Sequence, residues 1–159
     1  MLKLIGAVMI MLSGTFLGFS KSTSLRTRKE SLEKILYSLR IMENEICYGR
    51  DSMDRILKKI EKLSGVVIEK KSFENAGECF LRAFTREELR LEACDIESVS
   101  RFSETLGVTD ANVQLKNIKN TIKAIEMLRD DAEEKLQKYG KMYRSIGVLV
   151  SIFAVIVLM

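Results

Sequence analysis

The sequence of 159 residues contains no proline, no tryptophan and no histidine. Without histidine there is no Ser-His or Cys-His nucleophile pair and no histidine-ligated metal site. The phosphate-binding motifs GxxxxGK[ST] and GxGxxG are also missing from the sequence. Helix formers such as Leu, Lys, Glu, Arg and Met dominate what is present, which favours an all-α fold. The composition therefore predicts a helical protein that is not an enzyme and that needs no metal and no cofactor.

Cysteine is scarce, and its spacing is not that of a metal site. Cys47, Cys79 and Cys94 are odd in number and form no CxxC pair. Isolated cysteines of this kind are usually buried, reduced thiols in a cytosolic domain, and that is our interpretation. An intermolecular disulfide or a redox switch is the alternative.

The net charge of +4 arises from basic and acidic residues that are interleaved along the chain. This pattern is typical of solvated helices, whereas a nucleic-acid-binding protein concentrates its basic residues in a patch or stripe. The aromatic residues occur singly, so no base-stacking platform is expected. The stretch 87–97 is locally acidic. It is either an ordinary solvated helix surface or a surface that meets a basic partner.

The first long uncharged stretch is Leu4–Ser20, near the N-terminus. It has the length of a transmembrane helix, but a cleaved secretory signal is the competing interpretation. Basic residues follow at once: Lys21, Arg26, Arg28 and Lys29. Because basic flanks remain on the cytoplasmic side of a membrane, we favour an uncleaved anchor whose N-terminus lies outside the cytoplasm.

A second apolar stretch closes the chain. From Ile146 to Met159 there is no charge, and Ser151 is the one polar residue. A helix that loses its polar face is leaving water, although a helix buried in a soluble core is the alternative. Four basic residues precede this stretch: Lys135, Lys138, Lys141 and Arg144. Both basic flanks face the middle of the chain, so both termini are expected outside the cytoplasm.

Between these segments the apolar residues recur with helical spacing. The first seam is Leu25, Leu32, Ile35, Leu39, Met42 and Ile46, and the last extends from Leu115 to Tyr143 with Arg129 as its polar break. Thr27 with Glu30 and Thr85 with Glu88 fit the pattern of capping boxes, and an earlier start of the first helix is the alternative to Thr27. Further N-caps are Asp51 or Ser52, Asp95 and Asp110. Gly49, Gly65 and Gly107 are expected to end helices. Val66–Ala76 begins like a strand but is predicted to be a short helix.

The predicted architecture is an antiparallel bundle of about six cytoplasmic helices over residues 21–143. Transmembrane helices are expected over residues 1–20 and 144–159. Two charged residues lie where the spacing predicts burial: Glu43 at the edge of the first seam and Arg129 within the last. A charge there needs a partner or must reach the rim, so an internal ion pair or a snorkelling side chain is favoured. A polar register device or a partner-docking groove is the alternative.

Several stretches of the chain carry a family resemblance. They are MLKLIGAVMI at the start, ENEICYG at Glu43–Gly49, FSETLGVTD at Phe102–Asp110 with Gln114 and Lys116–Ile118 after it, and YRSIGVLVSIFAVIVLM at the end. With these residues the sequence resembles the stage III sporulation protein AB family of endospore-forming bacteria. That family is similar to the inner-membrane platform proteins of type II secretion and type IV pilus systems, whose cytoplasmic domains are six-helix bundles.

The resemblance implies a multi-pass protein of the mother-cell membrane facing the forespore, within the sporulation channel complex. Its implied partners are a secretion-type ATPase and other channel subunits, and a homo-oligomer is left open. Matching the motifs carries over six candidate partner-interface residues: Glu43, Glu45, Tyr48, Glu104, Asp110 and Gln114. Glu45 lies off the apolar seam and is preferred to Glu43, while Gly49 and Gly107 are expected to be structural. A membrane-anchored signalling or regulatory bundle unrelated to secretion is the alternative function.

Overall fold

The computed structural model describes residues 2–48, 51–69 and 75–158. In these residues the chain forms five α-helices and one 3₁₀ helix, with no β-strand. The elements are α1 (Leu2–Tyr48), α2 (Met53–Ser64), α3 (Ala76–Phe84), the 3₁₀ helix (Glu87–Leu89), α4 (Ala93–Thr105) and α5 (Ala111–Leu158). The all-α prediction is confirmed for this part of the chain.

The chain divides into two compact units. Unit 1 contains the residues up to Lys29 together with those from Asp131 onward, and unit 2 contains Glu30–Asp130. Helices α1 and α5 therefore contribute to both units, whereas α2, α3 and α4 belong to unit 2. The predicted boundaries at residues 20 and 143 both lie inside unit 1.

Glycine residues bring α1 and α5 into backbone contact in unit 1. A Cβ atom built on Gly18 would lie 2.7 Å from the carbonyl oxygen of Tyr143, and one built on Gly147 would lie 2.8 Å from that of Gly14. A Cβ atom on Gly14 would lie 2.8 Å from Oγ of Ser151. As the residue numbers of these contacts increase along α1, those of their partners on α5 decrease, so the two helices are antiparallel here.

All five helices contribute apolar side chains to the core of unit 2. The buried residues include Leu32, Ile35, Leu39, Met42, Ile56, Leu57, Ile60, Phe80, Phe84, Val99, Phe102, Leu106, Ile118, Ile122 and Ile125. Phe80 lies at the centre of an aromatic cluster, with ring centroids 4.6 Å from Phe84 and 5.5 Å from Phe102. The two seams predicted from helical spacing supply most of the residues that α1 and α5 contribute to this core.

Helices α3 and α4 approach each other at Gly77. A Cβ atom there would overlap the carbonyl oxygen of Ser103 and would lie 2.9 Å from its carbonyl carbon. Glycine at this position lets Phe80 of α3 reach Phe102 of α4 with an edge-on geometry of 76°. The close packing of α3 against α4 therefore requires a residue without a Cβ atom at position 77.

Two predicted helix starts are wrong, and for the first helix the alternative of an earlier start is correct. Thr27 is internal to α1, because the apolar and polar parts of this region form one continuous helix. Thr85 and Glu88 do not open an α-helix, since only the 3₁₀ helix forms here and Ala93 is exposed. Asp95 is not an N-cap: Glu92 is, and the backbone N–H of Glu92 donates to Oδ2 of Asp95 at 2.8 Å in a capping box.

The short helix predicted over Val66–Ala76 is also wrong where it can be compared. Val66 to Glu69 form neither helix nor strand, residues 70–74 lie outside the described part, and α3 begins at Ala76. Val66 and Ile68 are nevertheless buried, and the backbone N–H of Ile68 donates to Oε1 of Glu61 at 3.3 Å. A side chain of α2 thus replaces the helical partner of this backbone group.

The predicted helix ends agree better with the structure. Gly65 ends α2 in the left-handed conformation with φ +67°, and Gly107 follows α4 with φ +80°. Asp110 caps α5, because the backbone N–H of Asn112 donates to Oδ2 of Asp110 at 3.4 Å. Gly49, the third predicted helix end, lies outside the described residues.

Candidate membrane and partner interfaces

The outward surface of unit 1 is apolar. Phe16, Leu149 and Phe153 are 73%, 64% and 69% exposed, and the other exposed large apolar residues of this unit include Met9, Leu12, Leu17, Phe19, Ile146, Val148, Val150, Ile152 and Ile156. Small residues meet at the helix contact while large apolar residues point outward. This arrangement is typical of helices packed in lipid, where close backbone approach replaces hydrophobic burial.

Helix α5 has the length and composition needed to cross a membrane. Over Ala111–Ile156 it is the one helix among the assessed described residues that meets this criterion, and 11% of its most apolar window is buried. A core helix of a soluble protein would be mostly buried, so this finding is consistent with membrane association. Most side chains of residues 1–11 lie outside the described set, and no such assessment applies to the predicted segment 1–20.

Aromatic and basic side chains meet where the apolar part of unit 1 ends. The guanidinium of Arg144 on α5 lies 5.8 Å from the ring centroid of Phe19 on α1. Lys138 Nζ lies 5.4 Å from the ring centroid of Tyr139, whose ring is 6.3 Å from that of Tyr143. Cation–π pairs and tyrosines of this kind are common at the level of lipid headgroups.

Arg28 is the largest fully buried side chain, at 1% exposure. Its Nη1 donates to Oδ2 of Asp131 at 3.2 Å, and Lys135 Nζ lies 2.9 Å from the same oxygen. The hydrogen bond from Lys135, with a smaller contribution from Arg28, holds the pKa of Asp131 below its ordinary value. Lys29 donates to Oε1 of Glu133 at 3.3 Å, so two ion pairs join α1 to α5 within unit 1.

In unit 2, the predicted interface residues Glu43 and Glu45 both pair with lysines of the same chain. Oε1 of Glu43 lies 3.9 Å from Nζ of Lys119 on α5. Glu45 accepts a hydrogen bond from Nζ of Lys59 on α2 and raises the pKa of that lysine. The Glu45 side chain is 16% exposed, and that of Glu43 is 27% exposed. Glu45, which was preferred as the partner contact, is therefore less accessible to a partner than Glu43.

The remaining candidate interface residues have different surroundings. Tyr48, at the end of α1, is 90% exposed, and Glu104 and Asp110 are exposed as well. Gln114 is 6% exposed, and its Nε2 has no hydrogen-bond partner in the described part of the chain. Gln114 lies in the first turn of α5, and its backbone N–H donates to the carbonyl oxygen of the N-cap residue Asp110 at 2.8 Å.

Arg129, the polar break in the last seam, is only partly buried. Its side chain is 32% exposed, and its Nε lies 2.8 Å from Oδ1 of Asp130, the next residue. The flanking seam residues Ile125 and Ala132 are buried. The Nε atom is nevertheless buried and has no hydrogen-bond partner in the described part of the chain, so the contact with Asp130 is an ion pair without a hydrogen bond.

The described residues bring together no group of three or more Cys, Asp or Glu side chains that could hold a metal ion. Cys47, Cys79 and Cys94 form no disulfide with one another. The interpretation as buried thiols is correct for Cys79, which is 1% exposed, and wrong for Cys47 and Cys94, which are exposed.

Sequence reasoning missed the features that organise unit 1. Gly14 and Gly18 are spaced as Gly-x₃-Gly, and Gly147 and Ser151 as Gly-x₃-Ser, which is the small-residue spacing of packed membrane helices. That signal was available in the sequence. The burial of Arg28 had no such signal, because its acidic partner is 103 residues away.

Comparison with known proteins places the chain in a family. Residues 3–159 match the family model described as stage III sporulation protein AB. The stage III sporulation protein AB of Bacillus subtilis strain 168 is 28% identical over 171 aligned residues, which cover the full length of both proteins. No solved structure matches the chain. The chain therefore belongs to the stage III sporulation protein AB family.

Proposed function

We propose that this protein is a non-enzymatic assembly component of the sporulation channel complex between mother cell and forespore. Unit 1 includes a hairpin of two transmembrane helices in the mother-cell membrane, over residues 1–20 and 144–159, and Arg28 and Asp131 lie outside these two segments. Unit 2 is a cytoplasmic helical domain that docks a secretion-type ATPase and other channel subunits. Membership of a stage III sporulation family supports the sporulation role.

One observation carries the membrane part of this proposal: the glycine contacts between α1 and α5. Gly18 and Gly147 allow the two backbones to touch, while large apolar side chains such as Phe16 and Phe153 point away from the contact. In water this arrangement would leave a large apolar surface exposed. In a bilayer the same surface meets acyl chains, and both helices cross together.

The assembly part of the proposal is supported by the character of unit 2. Its core is apolar, and its described residues hold no metal-binding cluster. Tyr48 and Glu104 are exposed residues of the motifs that resemble the family. Tyrosine is enriched at the centres of protein interfaces, which makes Tyr48 the best single candidate for a partner contact.

The native cysteines allow a direct test of topology, because all three lie in unit 2. In vegetative protoplasts that express the full chain, we expect a membrane-impermeant maleimide to label Cys47 and Cys94 only after permeabilisation. A cysteine added after Met159, in a chain in which Cys47 and Cys94 are serine, should be labelled in intact protoplasts. Labelling of Cys47 in intact protoplasts would refute the cytoplasmic placement of unit 2.

A photo-crosslinking amino acid at Tyr48 or Glu104 tests docking in sporulating cells. We expect crosslinks to the secretion-type ATPase or to another channel subunit at Tyr48, and none from a matched probe at Lys62, which is exposed on α2. Crosslinks to a second copy of this chain alone would replace the docking proposal with a homo-oligomer. A complete absence of crosslinks from both positions would refute it.

A further inference from the structure

Basic residues outnumber acidic residues beside the apolar segments of unit 1. Residues 4–29 and 135–159 together contain eight Lys or Arg residues and no Asp or Glu. The nearest carboxylates of α5 are those of Asp131, Glu133 and Glu134. This part of the chain therefore carries more positive charge than it can neutralise itself.

Two of these three carboxylates pair with the basic residues that lie farthest from the apolar segments. Asp131 pairs with Arg28 and Lys135, and Glu133 pairs with Lys29. Four exposed cations form no ion pair with the described residues, and we call them the basic collar: Lys21, Lys138, Lys141 and Arg144.

The members of the basic collar lie close together on the two antiparallel helices. A Cβ atom on Gly140 would lie 3.7 Å from Oγ of Ser22, so the turn of α1 that contains Lys21 is next to the turn of α5 between Lys138 and Lys141. Lys138, Lys141 and Arg144 follow one another at steps of three residues. They therefore lie on one side of α5 and span about 9 Å along its axis.

Aromatic residues place the collar at the edge of the apolar surface. Arg144 contacts the ring of Phe19, and Tyr139 and Tyr143 lie between the collar residues of α5. Tyrosine side chains prefer the depth of lipid headgroups, where the aromatic ring lies in an apolar environment and the hydroxyl contacts water. The cations therefore lie at the depth of the phosphate groups if unit 1 is inserted.

We propose that the basic collar binds the headgroups of anionic phospholipids. The inference rests on the membrane insertion in the proposed function and adds the lipid class that the inserted protein selects. The planar guanidinium of Arg144 fits two oxygens of a phosphodiester, and the three lysines supply point charges that can move with the lipids. A net negative headgroup such as phosphatidylglycerol is preferred to zwitterionic phosphatidylcholine, because only the former leaves an uncompensated negative charge for the collar.

The test measures lipid selectivity of the full chain in phosphatidylcholine vesicles. Electron paramagnetic resonance of spin-labelled phosphatidylglycerol and phosphatidylcholine gives the relative association constant at the protein surface. For the native chain we expect a preference of about fivefold for phosphatidylglycerol, the value corresponding to roughly one fully effective charge at the membrane surface. The preference should shrink in 1 M salt, because screening weakens contacts between exposed charges.

A matched pair of variants identifies the collar as the cause. The collar variant carries Lys21→Gln, Lys138→Gln, Lys141→Gln and Arg144→Gln, and the control carries Lys58→Gln, Lys62→Gln, Lys116→Gln and Lys123→Gln, all at exposed lysines of unit 2. The collar variant should lose the preference, and the control should keep it. Circular dichroism of each variant checks that its helices are intact.

The outcomes separate this inference from the proposed function. Insertion is measured independently by flotation and resistance to alkaline carbonate. A native chain that does not insert overturns both the membrane hairpin and the collar. A native chain that inserts without lipid preference, or a folded collar variant that keeps the preference, overturns the collar alone.

Discussion

Nη1 of Arg28 on α1 donates a hydrogen bond to Oδ2 of Asp131 on α5 at 3.2 Å, across 103 residues of sequence. The arginine side chain is 2% exposed, whereas that of Asp131 is 46% exposed. A buried guanidinium cannot be deprotonated and needs partners, and the carboxylate of Asp131 is one that offsets the cost of burying Arg28. Lys135 shares the same oxygen from the solvent side.

Asp131→Asn should therefore destabilise unit 1 more than an ordinary surface substitution does. We expect a loss of about 1–2 kcal/mol, since asparagine still offers Arg28 a hydrogen-bond acceptor but removes one negative charge beside it, and the carboxylate is half solvated. Chemical unfolding of the full chain in detergent, followed by circular dichroism, measures it. Glu133→Gln is the control, with a loss below about 1 kcal/mol, because its partner Lys29 is partly exposed. Equal losses would contradict the role of burial.

The same carboxylate predicts a pH dependence with a defined sign. The pKa of Asp131 is lowered in the folded chain, so its stabilisation is complete above the ordinary value of 3.8 and is lost as the pH falls through the lower folded value. The difference in stability between the native chain and Asp131→Asn should be largest near pH 6 and should shrink below about pH 4. Melting temperatures of both chains at pH 6, 5, 4 and 3 give this difference. A constant difference would mean that Asp131 does not titrate with folding.

The helices of this protein follow largely from apolar spacing and glycine. The seams at Leu32–Met42 and Ile118–Ile125 are buried as the spacing predicts, and Gly65 and Gly107 mark helix ends through their positive φ. The capping-box signal did not predict the start of the first helix. Thr27 reads as a cap but lies within α1, because the apolar and polar segments are both helical and no proline or glycine separates them.

The candidate interfaces were harder to predict, because exposure depends on which helices pack together. Glu45 lies off its own seam, yet α2 brings Lys59 to it and leaves it 16% exposed. Tyr48 follows it by three residues and is 90% exposed at the end of the helix. Helical periodicity gives the direction of a side chain but not the partner that another helix presents.

The glycine contact in unit 1 makes a prediction about the membrane hairpin. Gly147→Ala places a Cβ atom 2.8 Å from the carbonyl oxygen of Gly14, so the helices must separate until this distance reaches the 3.4 Å of an ordinary contact. We expect fewer crosslinks between cysteines introduced at Thr15 and Val150 in membranes. Gly6→Ala is the control, since nothing lies within 4 Å of its added Cβ atom. Unchanged crosslinking in Gly147→Ala would show that the backbones are not in contact.

Gly77→Ala should weaken unit 2 by pushing α3 away from α4. The new methyl group overlaps the carbonyl oxygen of Ser103, a backbone atom that cannot rotate away, and overpacking of this kind costs about 1–3 kcal/mol. The buried thiol of Cys79 should react faster with a thiol reagent in a chain in which Cys47 and Cys94 are serine. Gly65→Ala is the comparison: it has open space but φ +67°, and should cost about 1 kcal/mol. A smaller effect at Gly77 than at Gly65 would contradict the close helix approach.

A charge exchange decides whether Glu45 serves the fold or a partner. The structure pairs Glu45 with Lys59 of α2, so Glu45→Lys should weaken unit 2, because two positive charges would then face each other. Adding Lys59→Glu restores an ion pair of reversed polarity, and the double variant should regain the stability of the native chain. If the carboxylate acts only through this pair, sporulation efficiency of the double variant should also return. Recovered stability without recovered sporulation would instead assign Glu45 to a partner contact, because an intramolecular exchange cannot restore a charge that another protein recognises.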